Sequence, residues 1–252
     1  MRRILVTNDD GYFSPGIQAL AAALAPLGEV IVVAPQTEAS AVGHALTLRR
    51  PLRLEHVAAG VYAVDGTPTD CVNVALSQLF SVPPDLIVSG INKGLNIGDD
   101  VTYSGTVAGA LEGALLGYPA MAVSLQHSAE GFDFLPAAAM AAELAVELLA
   151  RPLPARTFLN LNVPSRPAKG IKVTVQATRN HITKVAKRVD PRGQAYFWIE
   201  EAHDDWQPHD RSDYQAICDG YASVTPLQPD LTDHSALEAA EELTQKLKAG
   251  VR

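Results

Sequence analysis

Short apolar runs and helical repeats of apolar residues alternate along the first part of the chain. Ile4 to Thr7 and Val30 to Ala34 are runs without alternation, and such runs are typical of strands buried on both faces of a parallel sheet. Between them, Ile17 to Ala25 carries apolar side chains at helical spacing, and Pro26 and Gly28 follow. The pattern predicts a strand, a helix and a parallel strand, which together form one βαβ unit.

Similar elements continue as far as residue 165. Apolar runs predict strands at 61–64, 85–90, 120–125 and 158–163, and helical spacing predicts helices at 67–82, 104–116 and 135–150. Leu46 to Leu54 instead alternates apolar and polar residues, which predicts extended strands with one polar face. Thr67 suits the N-cap of its helix, and Pro68 suits the first helical position. This order of elements predicts an α/β fold, a Rossmann-like and mostly parallel sheet flanked by helices.

The pattern changes after residue 170. Residues 171–178 alternate apolar and polar side chains, which predicts a half-buried antiparallel strand. Ser235 to Lys248 has the pattern of an amphipathic helix. We therefore expect a single α/β domain over residues 1–252, in which a Rossmann-like core at 1–165 precedes a smaller hairpin region and terminal helix at 166–252.

A hairpin arm is predicted within the polar segment 179–215. Asp190 to Gly193 has the composition of a tight turn, and Tyr196 to Ile199 is the returning apolar strand. An isolated two-stranded hairpin is only marginally stable in water, so this arm needs a surface to pack on. Trp198 and Trp206 are typical of a protein interface. We expect a second subunit to supply that surface in a homodimer or homotetramer.

Composition and charge narrow the function classes. The 252 residues are 47% hydrophobic, which is enough for a substantial core, and the net charge is −8. Lys and Arg do not form a stripe along the sequence, which argues against a surface for duplex DNA or long RNA. The two cysteines do not form a disulfide framework or a zinc motif. A core strand at residue 3 and the lack of a long apolar run lead us to expect a cytoplasmic protein without a signal peptide or membrane span.

Two carboxylates, Asp9 and Asp10, follow the first strand directly. Ligands in open α/β sheets bind at the carboxyl ends of the strands, so the fold delivers both side chains to the functional edge. Adjacent carboxylates raise each other's pKa unless a positive group neutralises them, and no Lys or Arg lies close in sequence. A divalent cation would neutralise them, while Asp-Asp-Gly is also ordinary turn composition.

A loop rich in glycine and asparagine, residues 91–106, leaves the strand at 85–90. It ends in Ser104-Gly105-Thr106, which begins a helix. Free backbone N–H groups, two hydroxyls and the positive end of the helix dipole suit a phosphate there, although a plain N-cap at Ser104 or Thr102 is the alternative.

Ser40 and Asn92 lie in loops at the same edge of the predicted sheet. Together with Asp9 and Asp10 they would supply oxygen donors to one hard cation. No His or Cys joins them, so Mg²⁺ or Mn²⁺ fits this set better than structural zinc does. Asn8 to Phe13 stands where a dinucleotide-binding fold carries G-x-G-x-x-G, which argues against a nicotinamide cofactor.

The chain resembles the SurE (survival protein E) family of metal-dependent nucleotidases over nearly its whole length. The matching motifs are Asn8-Asp9-Asp10-Gly11, Gly66-Thr67-Pro68-Thr69-Asp70-Cys71, Ser89-Gly90-Ile91-Asn92, Tyr103-Ser104-Gly105-Thr106-Val107, Asn160-Leu161-Asn162-Val163-Pro164, Asp190-Pro191-Arg192-Gly193, Gly220-Tyr221 and Thr225-Pro226-Leu227.

The resemblance implies a phosphatase that acts on nucleoside 5′- and 3′-monophosphates, and often on short polyphosphate. It also implies an oligomer. The implied ligands of the cation are Asp9, Asp10, Ser40 and Asn92. The implied phosphate contacts are Asn96, Ser104, Gly105 and Thr106. Either Asp9 or Asp10 would take the proton of the attacking water.

One loop departs from the family pattern. Members commonly carry Asp-Arg after the Ala-Pro of the second strand and Gln or Arg just before the serine, whereas this chain has Gln36, Thr37 and Ala39. Ser40 itself is retained. Substrate contacts made by the longer side chains elsewhere in the family are therefore not expected here.

Two other functions are compatible with the same residues. An aspartyl-phosphate phosphatase uses a nucleophilic carboxylate with a second carboxylate two residues later, and Gly11 at that position disfavours the covalent route. A noncatalytic nucleotide or metal sensor on the same fold is the other alternative, because a fold does not fix an activity.

Overall fold

The computed structural model describes residues 1–179, 184–200 and 206–249. The strands are β1 (Arg3–Thr7), β2 (Glu29–Pro35), β3 (Leu54–Ala58), β4 (Val61–Val64), β5 (Leu86–Lys93), β6 (Ala120–Leu125), β7 (Phe158–Val163), β8 (Ile171–Val173), β9 (Lys184–Val189), β10 (Ala195–Glu200) and β11 (Ala222–Leu227). The α-helices are α1 (Pro15–Leu24), α2 (Pro68–Gln78), α3 (Gly105–Leu115), α4 (Leu135–Ala150), α5 (Asp213–Cys218) and α6 (Leu237–Ala249). Short 3₁₀ turns occupy Ala25–Leu27, Gly98–Thr102 and His234–Ala236.

The strand β1 lies inside a nine-stranded sheet with the order β3-β4-β2-β1-β5-β6-β7-β11-β8. It pairs in parallel with β2 on one side and with β5 on the other. β6 and β7 continue the parallel arrangement, whereas β3 and β11 are antiparallel to their neighbours β4 and β7. Since the chain leaves β1 toward β2 and returns on the other side at β5, a crevice opens at their carboxyl ends. The predicted Rossmann-like, mostly parallel fold is confirmed.

Helices cover both faces of the sheet. Ile4 and Val6 of β1 pack in the cluster that contains α1 and α4, while Leu5 packs on the opposite side with residues of α2 and α3. All three side chains are fully buried. An uninterrupted apolar strand is therefore what this position requires, because each successive side chain enters a different core.

The predicted cap of α2 is confirmed. The Thr67 side chain accepts a hydrogen bond from the backbone N–H of Asp70, and Asp70 accepts one from the backbone N–H of Thr67 at 2.9 Å. This reciprocal capping box satisfies two N–H groups that the helix itself leaves without acceptors. The long helical segments near residues 104–116 and 135–150 are confirmed as α3 and α4.

The extended strands predicted over Leu46 to Leu54 are wrong, because regular structure begins only at Leu54. Side-chain carboxylates take the backbone N–H groups that a strand partner would need. The N–H of Thr47 donates to Asp70 at 2.8 Å, and that of Arg53 donates to Asp65 at 2.7 Å. Two of the apolar members, Leu46 and Leu48, also face solvent at 50% and 84% exposure, whereas Leu52 and Leu54 pack against the core. Alternation alone did not reveal these competing acceptors.

The antiparallel strand predicted at residues 171–178 is also wrong in direction and extent. Only β8 is regular, and it pairs in parallel with β11. Its apolar side chains face outward, with Val173 68% exposed, while Thr174 is buried and shares a 2.8 Å hydrogen bond with Thr225. The neighbouring strand β11 was not predicted, since Pro226 interrupts the strand pattern.

The predicted hairpin arm is confirmed as β9 and β10, which pair antiparallel across the turn at Asp190 to Gly193. The backbone N–H of Asp190 donates to the carbonyl of Gln194, and Gly193 has a φ of 80°, which glycine adopts without steric cost. Trp206 lies outside the hairpin and stacks on Tyr214 at 4.9 Å between ring centroids. The interface interpretation therefore depends on the residues of the hairpin arm itself.

The terminal amphipathic helix predicted at Ser235 to Lys248 is confirmed as α6. β8, α5 and β11 all follow residue 165, and β8 and β11 extend the same sheet as the core strands. Across the part of the chain that the structure describes, no helix has the length and apolar character needed to cross a bilayer.

Candidate active site at the carboxyl edge of the sheet

Asp9 and Asp10 lie at the carboxyl end of β1 and are almost fully enclosed, with 5% and 6% exposure. The turn that carries them is fixed by Asn8, whose side chain accepts from the N–H of Gly11 at 3.2 Å and donates to the Gly11 carbonyl at 3.0 Å. An isolated solvated turn would leave both carboxylates exposed. The structure thus places them as a buried acidic pair at the crevice.

Asp9 is surrounded by the start of α3. Thr106 is fully buried and its hydroxyl donates to Asp9 Oδ1. A Cβ atom added to Gly105 would lie 2.8 Å from Asp9 Cβ and 2.9 Å from Asp9 Oδ2, so only glycine fits without displacing the carboxylate. The backbone N–H of Ala39 donates to the Asp9 carbonyl at 2.8 Å. Three distant segments therefore meet at Asp9.

Asp10 has a different environment on each of its oxygens. The ammonium of Lys93 lies 3.3 Å from Asp10 Oδ1. Asp10 Oδ2 is buried and has no hydrogen-bond partner in the described chain. The sequence places no Lys or Arg directly beside the acidic pair, but β5 brings Lys93 to Asp10 in space.

Burial changes the ionisation of both carboxylates. Burial raises the pKa of Asp9, and the neighbouring charge of Asp10 raises it further. The hydrogen bond from Thr106 opposes this rise. Burial also raises the pKa of Asp10, with Lys93 opposing the rise and the charge of Glu38 adding to it. A bound cation would reverse this tendency, because it stabilises the ionised forms.

The N-terminus of α3 points into the same crevice. Ser104 is the N-cap, and its hydroxyl oxygen accepts from the backbone N–H of Val107 at 3.1 Å. The N–H groups of Gly105 and Thr106 lie in the first turn, where a helix supplies no acceptor. The N-cap at Ser104, which the sequence leaves as the alternative to a phosphate site, is present. Because Gly105 touches Asp9, the positive end of the helix lies directly beside the carboxylate pair.

Asn96 is held by side chains from two strands. Its Nδ2 donates to Ser124 of β6 at 2.8 Å, and its backbone N–H donates to Asn162 Oδ1 at 2.8 Å. Asn160 and Asn162 both donate to the Asn96 carbonyl, at 2.7 and 3.0 Å. All three partners are fully buried. The glycine-rich loop is therefore fixed in place before any ligand binds.

The pair Asn160 and Asn162 has no role among the predicted site residues, although its pattern is visible in the sequence. Asn160 and Asn162 are two positions apart in a strand that is otherwise apolar, so they face the same side of β7. Polar amides on the buried face of a strand require partners. Their partner is the backbone of the predicted phosphate loop.

Within the described residues, neither Ser40 nor Asn92 shares a hydrogen bond with the acidic pair. The Ser40 side chain is exposed and its hydroxyl donates to Glu38 at 2.7 Å. Asn92 uses Nδ2 to donate to the Gly94 carbonyl at 3.0 Å. Ala39 places the Ser40 loop beside Asp9 through the backbone. The structure brings together Asp9, Asp10, Gly105 and Thr106, with Ser40 on an adjoining loop. Asn92 lies in β5, which extends to Lys93, so the loop position expected from the sequence is wrong for this residue.

The Ser40 loop is tied down by a second network that the sequence did not reveal. His44 Nε2 lies 2.7 Å from Glu112 Oε2, and Asn73 donates to Glu112 Oε1 at 2.6 Å. Burial favours a higher pKa for Glu112, but the hydrogen bonds from His44 and Asn73 outweigh it and lower the pKa. Thr47 is held by Asp70 through its N–H and hydroxyl. Helices α2 and α3 thus anchor the end of the loop.

The donor set fits a hard divalent cation. Two buried carboxylates, a buried carboxylate oxygen without a hydrogen-bond partner, and nearby hydroxyl and amide groups are the oxygen ligands that Mg²⁺ and Mn²⁺ prefer. A helix N-terminus beside them supplies donors for an anion. The arrangement is chemically suited to hold a cation and a phosphate in contact.

Comparisons with known proteins identify the family of the chain. The family model described as "Survival protein SurE" matches residues 4–184. A protein named 5′-nucleotidase SurE from Geotalea daltonii is 51% identical over 238 residues, covering 93% of this chain and 96% of the relative. One of the same name from Geobacter sulfurreducens is 52% identical, covering 93% and 90%. The crystal structure of a SurE protein from Aquifex aeolicus superposes with a TM-score of 0.86 at 42% identity, covering 96% of this chain and all of that one.

Proposed function

The chain belongs to the SurE family, and from this membership we propose that it is a 5′-nucleotidase, a metal-dependent phosphomonoesterase that converts nucleoside 5′-monophosphates to nucleoside and phosphate. Nucleoside 3′-monophosphates and short polyphosphate are further proposed substrates. One observation carries the proposal, namely that the buried pair Asp9 and Asp10 lies against the N-terminus of α3. A cation site and an anion site then share one crevice.

We propose that Asp9, Asp10, Ser40 and Asn92 hold one Mg²⁺ or Mn²⁺. When bound, the cation lowers the pKa of a coordinated water and polarises a phosphoryl oxygen. Asp10 Oδ2 is available as a ligand because it has no partner in the described chain. Ser40 has to turn its hydroxyl from Glu38 to join the set. Asp9 or Asp10 accepts the proton that the attacking water loses.

The phosphate contacts are proposed at Asn96, Ser104, Gly105 and Thr106. The free backbone N–H groups of the first turn of α3 stabilise the charge that develops on the phosphoryl oxygens. The Thr106 hydroxyl and backbone N–H both hydrogen-bond the Asp9 carboxylate, so Thr106 orients that carboxylate and contacts the phosphate by exchanging one of these bonds. Asn96 is held rigid by β6 and β7 and needs little reorganisation on binding.

The alternative functions are less well supported. Gly11 provides no second carboxylate for an aspartyl-phosphate mechanism. A noncatalytic sensor is disfavoured by the names of the relatives, which are nucleotidases over nearly the full length of this chain. We also propose a cytoplasmic location, as the composition leads us to expect.

Phosphate release from a panel of nucleoside monophosphates with Mn²⁺ tests the proposed function. Because recognition is assigned to the phosphate, we expect turnover of several 5′-monophosphates whatever the base. A phosphodiester such as a dinucleotide should release no product, since both faces of the phosphoryl group are committed to the cation and the helix N-terminus. Turnover of the diester at the rate of the monoester would contradict the assignment.

Gly105 gives a sharper local prediction. Alanine at this position favours the helix by about 1 kcal/mol, but its Cβ atom would push Asp9 out of place. We expect Gly105→Ala to reduce kcat/KM roughly a hundredfold while the protein stays folded. Gly113→Ala, in the same helix, is the control, because its Cβ would meet only apolar atoms of Ile87 and Ala120. Equal losses of activity in both variants would show that Gly105 matters only for packing.

We propose that the hairpin arm joins subunits in a homodimer or homotetramer. Val185, Val189, Tyr196, Phe197, Trp198 and Ile199 are all 42% to 76% exposed. An apolar surface of this kind on a two-stranded hairpin is not stable alone in water. A second copy of the chain is the commonest solution.

Replacing residues 183–203 with a short Gly-Ser linker tests the hairpin arm. The shortened protein should shift toward monomer in multi-angle light scattering, because the exposed apolar strands are gone. The predicted site residues all precede residue 107, so Mn²⁺ binding should remain. An unchanged oligomeric mass would rule out the hairpin arm as the interface.

A further inference from the structure

Lys93 is a basic side chain that lies directly against the acidic pair. Among the residues that the structure describes, it is the basic side chain that contacts the acidic pair, with Nζ 3.3 Å from Asp10 Oδ1. It sits at the end of β5, next to the predicted ligand Asn92. The Lys93 side chain is 37% exposed, whereas Asp10 is only 6% exposed. The ammonium therefore closes the solvent side of a buried carboxylate.

A divalent cation bound to Asp10 changes this arrangement. It would bring two positive charges to a carboxylate that an ammonium already contacts, and the two cations repel each other. Lys93 has a flexible four-carbon stem and is partly exposed, so its ammonium can leave without disturbing the core. Cation binding and the ion pair between Lys93 and Asp10 are thus in competition.

The displaced ammonium remains beside the phosphate position. Gly105 contacts Asp9, and Lys93 contacts the adjacent Asp10. A phosphoryl group seated over the two carboxylates would then be within reach of both the N-terminus of α3 and Lys93. An ammonium in that position forms a charge-assisted hydrogen bond with a phosphate oxygen.

We propose that Lys93 alternates between two anionic partners, Asp10 in the metal-free protein and the substrate's phosphoryl group in the metal-loaded protein. The proposal deepens the proposed function, because it rests on a phosphate bound at the same site. Lys93 is a counter-ion that competes with the metal and a binding residue for the phosphate. Removing the charge of Lys93 should therefore strengthen metal binding and weaken phosphate binding.

Lys93→Met removes the charge and keeps the length of the side chain. Titration calorimetry on the metal-free protein should show Mn²⁺ binding tightened roughly three- to tenfold, because the competing ammonium is absent. Inorganic phosphate should bind the Mn²⁺-saturated variant about tenfold more weakly, because a charged hydrogen bond is lost. KM for AMP should rise in parallel. Lys93→Arg keeps the charge and should keep both affinities close to those of the parent.

Lys172→Met is the matched control, since Lys172 has the same 37% side-chain exposure and pairs with Asp219 away from the crevice. It should change neither affinity. Unchanged or weakened Mn²⁺ binding in Lys93→Met overturns the proposal, and so does unchanged phosphate binding. Both titrations are independent of turnover. A parent protein that binds Mn²⁺ and phosphate but hydrolyses no monophosphate would refute the proposed function, while the Lys93 comparison would still be decided.

Discussion

Removing divalent cations with a chelator should reduce phosphate release by at least about a thousandfold, and adding Mg²⁺ or Mn²⁺ should restore it. The expected effect is large because a metal-activated water and a polarised phosphoryl oxygen together lower the activation barrier by several kcal/mol. The site without the cation also holds two buried carboxylates whose pKa values are raised by burial, so protons compete for the same oxygens.

The measurement is a rate of phosphate release before chelation, after exhaustive dialysis against a chelator, and after stepwise addition of each metal. Circular dichroism of the dialysed protein controls for unfolding. Full activity in the dialysed protein would remove the cation from the mechanism. Restoration by Zn²⁺ alone would instead contradict the hard, oxygen-only donor set.

Asp9→Asn should lower kcat/KM by roughly three orders of magnitude. Asparagine keeps the size of the side chain and can still accept the hydrogen bond from the Thr106 hydroxyl, so we expect the local structure to remain. The substitution removes a negative charge from the cation site and a proton acceptor from the crevice. Weaker binding of the metal and poorer activation of water both follow.

Asp219→Asn serves as the control, because Asp219 forms a surface ion pair with Lys172 and lies outside the crevice. Its activity should stay at the parent level. Mn²⁺ affinity, kcat/KM and the melting temperature should be measured for both variants. If Asp9→Asn hydrolyses AMP at the parent rate, Asp9 is a turn residue and the assignment of the cation site is wrong.

Local signals account for the parts of the fold that the sequence predicts. The capping box at Thr67 and Asp70 depends on residues three positions apart, and the apolar run of β1 reports burial on both faces by itself. The acidic pair was predicted because a strand places its following residues at a known edge. The N-cap at Ser104 is likewise a property of one short segment.

Pairings between distant segments account for what the sequence could not predict. Lys93 contacts Asp10 only because β5 lies beside β1, and no residue near position 10 in the sequence predicts this contact. The alternation at residues 171–178 indicates a strand, but it does not say which strand is the partner or which face is buried. In the structure the polar residue Thr174 faces inward. Asp65 and Asp70 accept hydrogen bonds from backbone N–H groups of a distant segment. A pattern of apolar residues does not predict these bonds.

The long-range hydrogen bonds that hold the loop around Asn96 have a consequence for biosynthesis. Asn162 lies 66 positions after Asn96, and Asp213, which accepts the N–H of Gly98 at 2.9 Å, lies 115 positions after Gly98. At ribosomal elongation rates, Asp213 is translated on the order of ten seconds after Gly98. A nascent chain therefore carries every predicted ligand well before the loop can be fixed. We expect tight binding of Mn²⁺ and phosphate only once the chain past Asp213 has left the ribosome.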